Sequence, residues 1–119
     1  MSRLTNYLRT QRRLWRLTQE ELAFLFGYLD QSMVGRLERD EREITLAVAH
    51  TCDLLFDVSP RDMFPTFFAG VEENLYRRLC ELRGRSLEDL PTPPVSAKLE
   101  LIHETVHRLA VLKQRNHER

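Results

Sequence analysis

The chain has 119 residues, 42% of them hydrophobic and 30% charged, with 18 basic and 18 acidic residues and a formal net charge of zero. That size supports one small globular domain plus an appendage and leaves too little core for a second large domain. Residues 1–66 hold nine Arg against ten Asp plus Glu, which excludes an indiscriminate polyanion binder and leaves any such affinity to the distribution of charge.

Apolar residues recur at helical spacing from the start. Leu4, Tyr7, Leu8, Leu14 and Trp15 predict a first helix over residues 3–15, which also carries Arg3, Arg9, Arg12 and Arg13, with Arg16 just beyond. A second helix is expected over 18–26, with Thr18 as N-cap, Glu21 as its capping-box partner and Leu17 and Leu22 as a hydrophobic staple. Gly27 supplies a left-handed C-terminal residue. A third helix over 31–39 has Met33, Val34 and Leu37 on its apolar stripe and Gln31, Ser32, Gly35 and Arg36 facing out. Residues 45–55 make a fourth. In "SPRDMF", Ser59, Pro60 and Asp62 are the N-cap, N1 proline and N3 carboxylate of a fifth. A sixth spans 67–83, "GRSLEDLPTPPVS" is a proline-rich break, and Ser96 opens a last long helix over 96–115. No repeat and no strand pattern stands out. The expected core is Leu8, Leu22, Ala23, Val34, Leu37, Leu46, Ala49, Leu55, Val58 and Phe64.

Two short amphipathic helices joined by a glycine turn, the second opened by a polar cluster, have the layout of a helix-turn-helix DNA reader. Arg12 in "LRTQRR", the run "LTQEELA", Gly27, "QSMVGRLER", Leu46 in "ITLAVAHTCDLL" and "DVSPRDMF" stand at the spacing of one family. Residues 4–64, about half the chain, resemble the Cro and phage-repressor class, also called the XRE type. The turn "GYLDQS" is one residue longer than the shortest family version, Asp40 stands where the family usually has glycine, and Glu41 and Glu43 put carboxylates where it follows the phosphate backbone.

The resemblance implies an all-α fold: a five-helix phage-repressor-like domain over residues 1–66 with a C-terminal helical extension over 67–119. It implies that Gln19 touches a phosphate and braces Gln31. Gln31, Ser32, Met33 and Arg36 are then the base readers, by bidentate bonding to adenine, hydrogen bonding to a base edge, contact with a thymine methyl and reach to guanine or phosphate, respectively. Arg39 and Arg42, with Arg9 and Arg13, are the expected backbone contacts. Arg12 and Glu38 fall where the family has a buried ion pair, which orients the reader more than it stabilises.

"HETVH", His103 to His107, matches the H-E-x-x-H pattern of zinc peptidases. A catalytic zinc needs a third protein ligand, and only His117 and Glu118 remain downstream. Leu99, Ile102, Val106 and Leu109 form the stripe of that helix, so the histidines read as its solvated flank. No metal site, cofactor or catalytic residue is expected. Cys52 and Cys80 lie on apolar stripes and read as reduced core thiols.

The function these features predict is a sequence-specific transcriptional regulator, a repressor, that binds double-stranded DNA at a palindromic operator as a homodimer. Leu99, Ile102, Val106 and Leu109 are the expected dimer contact. The alternatives are a helix-turn-helix protein-interaction module, such as an antitoxin or antiactivator with weakened DNA binding and a regulatory protein partner, and a zinc metallopeptidase-like protein. With no signal-peptide layout and no apolar run of about 18 residues, a cytoplasmic protein without a membrane partner is expected.

Overall fold

The computed structural model describes residues 5–86 and 93–117. Arg3, Leu4, residues 87–92 of the proline-rich break with Pro91, and Glu118 lie outside the described residues, as do the side chains of residues 86, 93–96, 116 and 117. The described residues form seven helices and no strand: α1 Leu8–Leu14, α2 Gln19–Phe26, α3 Ser32–Glu38, α4 Leu46–Phe56, α5 Pro60–Met63, α6 Pro65–Ser86 and α7 Pro93–His117. They group into two compact units, one ending at Phe68 and the other beginning at Ala69.

In the first unit each helix end has a local cause. The expected start of α1 at residue 3 gives way to Leu8, because the buried Asn6 side chain accepts from Leu8 N at 3.1 Å and donates to the Leu37 carbonyl at 3.0 Å. Asn competes with helical backbone in this way, so it favours a helix entry over a helix interior. Tyr7 N adds a bond to the Met63 carbonyl at 2.9 Å. The other end of α1 closes with Arg16 N on the Arg13 carbonyl and Leu17 N on that of Arg12, with Arg16 left-handed at φ 60°. This is a Schellman arrangement with arginine where glycine is usual.

The capping box of α2 is formed in both directions: Glu21 N donates to Thr18 Oγ1 at 3.0 Å and Thr18 N to Glu21 Oε1 at 2.9 Å. Gly27 ends α2 at φ 80°, a conformation that costs glycine nothing. Asp40, where the family has glycine, ends α3 at φ 59°, and Asp57 ends α4 at φ 54°. Asp tolerates this region better than most residues. Thr45 caps α4, and Ser59 caps α5 ahead of Pro60.

Leu8, Leu22, Ala23, Val34, Leu37, Val48, Cys52, Phe56, Met63 and Phe64 form the core of this unit. Helix α3 packs on α1 and α2, while α4 packs on α2 and α5. Three expectations fail here. Leu46 is 90% exposed and Leu55 is 41% exposed, because α4 turns Val48, Cys52 and Phe56 inward at steps of four. Gly35, expected to face out, is buried.

In the second unit α7 begins at Pro93, ahead of the Ser96 expected to open it. Ile102 is buried, whereas Leu99, Val106 and Leu109 are half-buried. Leu75, Tyr76, Leu82, Leu101 and Val111 remain exposed.

Candidate nucleic-acid interface

Helix α3 is anchored from below by one carboxylate. Glu38, its last residue, receives Arg12 Nε on Oε2 at 2.9 Å and Gln19 Nε2 on Oε1 at 2.9 Å, and its side chain is 3% exposed. Arg12 also donates to the Leu17 carbonyl at 2.9 Å, so one guanidinium ties the end of α3 to the corner between α1 and α2. A buried carboxylate with charge-assisted donors from two helices holds α3 in one orientation.

That geometry gives Gln19 an internal partner. Its amide nitrogen is on Glu38, and Gln31 has no side-chain hydrogen bond at the start of α3. A hydrogen bond to an ionised, buried acceptor is stronger than one to a neutral exposed amide, so Glu38 captures the donor. Gly35 lies beside this contact: a Cβ there would be in ordinary van der Waals contact with Gln19 Nε2 at 3.5 Å and would press only on the side-chain end of Arg39, 3.1 Å from Nη1.

With Val34, Gly35 and Leu37 turned inward, the opposite side of α3 is free. Gln31, Ser32 and Arg36 are exposed, and Met33 is half-buried. Ser32 and Arg36, four residues apart, share one face. The start of the helix is capped by Asp30, whose Oδ1 accepts from Ser32 N at 2.9 Å. These bonds from Ser32 hold the Asp30 carboxyl below the ordinary carboxylate range, and Thr18 does the same for Glu21.

The four arginines expected on the phosphate backbone are not equivalent. Arg39 is paired with Glu41 at 3.1 Å, and the Arg42 guanidinium lies over the Tyr28 ring, 5.2 Å from its centroid. Arg9 and Arg13 instead border an open cleft of about 580 Å³, together with Arg16, Gln19, Glu20 and Gln31. Arg16, Asn6 and Asp30 take roles here that the helical pattern and the family resemblance do not assign. Asn6 ahead of an apolar run and Asp30 two residues before Ser32 were readable as cap signals. Arg16 became visible only with the turn that places it.

On α7, His103, Glu104 and His107 are exposed, and no cluster of three metal-ligating side chains occurs among the described residues. Both cysteines are free. No helix among the described residues is long and apolar enough to cross a membrane.

Residues 8–63 match the helix-turn-helix family. No curated protein and no solved structure gives a significant match to the chain. The capped α2, the glycine turn and an α3 anchored through Glu38 with its polar side outward lie within the matched segment. Residues 8–63 are a helix-turn-helix domain of the XRE type, whose family is one of DNA-binding regulators.

Proposed function

We propose that this protein is a transcriptional repressor that reads a palindromic operator as a homodimer, with Gln31, Ser32, Met33 and Arg36 facing the bases. The observation that carries this reading is the anchoring of α3 by Arg12 and Gln19 through Glu38, with the side chains of Gln31, Ser32 and Arg36 left exposed. A reading helix must present base-matching groups in a fixed orientation, and this one does so at low entropic cost. One such helix contacts few base pairs, whereas a twofold dimer reads two half-sites about one helical turn apart. Occupying a promoter in this way suffices for repression by exclusion.

The dimer contact is assigned to the helical extension. Ile102 is already covered within one chain, so the stripe of Leu99, Ile102, Val106 and Leu109 offers a second copy only part of its surface. The exposed Leu75, Tyr76, Leu82, Leu101 and Val111 add to it. Fluorescence anisotropy on DNA from upstream of the protein's own gene tests the reading. Specific binding that is lost on Gln31→Ala and Arg36→Ala supports it.

A second reading has its own observation. Arg39 and Arg42 are engaged by Glu41 and Tyr28, which lowers the positive potential beside α3 and suits a module that binds another protein. Absence of duplex binding in the same experiment favours that reading.

A further inference from the structure

Sorting the arginines of the first unit by partner separates them into two sets. Arg12 is fixed on Glu38 and the Leu17 carbonyl, Arg39 is paired with Glu41 at the surface, and Arg42 lies over the Tyr28 ring. Arg9, Arg13 and Arg16 are exposed, border the same cleft, and form no ion pair or hydrogen bond through their guanidinium groups among the described residues. They stand at i, i+4 and i+7, so they follow one side of α1 and the corner beyond it. Gln31 borders the cleft as well, next to the exposed side of α3.

We propose that the DNA backbone is gripped on the α1 side of the domain, by phosphates seated among Arg9, Arg13 and Arg16, and not by Arg39 and Arg42 in the segment after α3. The inference rests on the DNA-binding reading above and assigns the contacts within it. An arginine without an internal partner exchanges only loosely held counterions when a phosphate arrives. Arg39 and Arg42 must first leave a carboxylate and an aromatic face. A phosphate in the cleft also sets the duplex beside Gln31, so the grip fixes the register in which α3 meets the bases.

The backbone of Arg16 points the same way. Among the described residues it is the only left-handed position occupied by neither Gly nor Asp. Left-handed backbone disfavours an L-residue with a long side chain, and strain of this kind collects at functional positions. Glu20, also in the cleft, is the one carboxylate opposing the phosphate.

The test uses the full chain and a mixed-sequence duplex, with affinity followed across a salt series. Each of Arg9→Gln, Arg13→Gln and Arg16→Gln is expected to lower the slope of log affinity against log salt by about 0.9, and Arg39→Gln and Arg42→Gln to leave it unchanged. Arg13→Lys retains the slope, because charge is what the phosphate requires, and Glu20→Gln tightens binding. A slope that falls for Arg39→Gln and Arg42→Gln but not for the α1 variants overturns the grip while leaving DNA binding intact. A wild-type chain that binds no duplex overturns both. Inorganic pyrophosphate supplies the same chemistry from a free ligand. If it binds the wild-type protein and duplex does not, the cleft belongs to a small polyphosphate and the proposal fails.

Discussion

Glu38 closes α3 with both carboxylate oxygens engaged from other helices, Arg12 Nε on Oε2 at 2.9 Å and Gln19 Nε2 on Oε1 at the same distance. The Arg12 and Glu38 side chains are 10% and 3% exposed, so neither charge can fall back on water. Removing Glu38 leaves a buried guanidinium unpaired. Glu38→Ala is expected to destabilise the first unit by about 3 to 5 kcal/mol, against about 0 to 1 kcal/mol for an exposed pair. Urea unfolding with unchanged slope measures it, and a midpoint near wild type would contradict the anchoring role.

Gln19→Ala tests the other half of the same network. It removes one donor and leaves the ion pair, so a loss of about 1 to 3 kcal/mol is expected. If Gln19 acted mainly on Gln31 or on phosphate, stability would hardly change and only DNA affinity would fall.

Base reading has its own signature. Gln31→Ala or Arg36→Ala should cost about 1 to 3 kcal/mol on the best operator and relax preference at one base pair in each half-site. Equal losses on operator and mixed-sequence DNA would assign these residues to the backbone instead.

Acid should loosen the starts of α2 and α3 first. The carboxyls of Glu21 and Asp30 are held low by their hydrogen bonds to Thr18 and Ser32. A depressed folded-state value means that their stabilisation is present above the ordinary carboxylate range and is lost as pH falls through the depressed values. The Tm difference between wild type and Asp30→Ala should therefore be widest near neutrality and close in acid. A difference independent of pH would mean that the ionised carboxylate is not what caps α3.

The two thiols should differ sharply. Burial pushes the Cys52 thiol up to about 12, so it carries no thiolate at neutral pH, whereas Cys80 is only half-buried. A thiol reagent is expected to label Cys80 alone in the native protein and both cysteines after unfolding. Rapid native labelling of Cys52 would show that the core opens readily.

Residues 1–68 expressed alone should fold, since the core of the first unit is drawn almost wholly from that segment, and should be monomeric by light scattering. The full chain should be dimeric and bind a palindrome more tightly than the fragment. A dimeric fragment of unchanged affinity would move the interface into the first unit.

The helices, the caps at Thr18, Gly27 and Ser59 and most of the core were legible in the sequence because each depends on a few neighbouring residues. Thr18 and Glu21 meet within one helical turn, Gly27 reaches its left-handed conformation unaided, and Leu8, Leu22, Val34 and Leu37 each stand on the apolar stripe of their own helix. The family pattern added the pairing of Arg12 with Glu38 across 26 residues. Tertiary structure decided what local pattern leaves open, namely which of several equivalent polar groups find internal partners. Gln19 went to Glu38 because a buried carboxylate attracts a donor more strongly than an exposed amide does. Leu46 was left outside because α4 rolls about Val48, Cys52 and Phe56. Arg39 and Arg42 read in sequence like Arg9, Arg13 and Arg16, all of them cations on a polar face. Only the folded chain brings Glu41 and Tyr28 against the first two and leaves the others facing an open cleft, because a charge takes its partners from three-dimensional proximity and burial, which one-dimensional spacing does not encode.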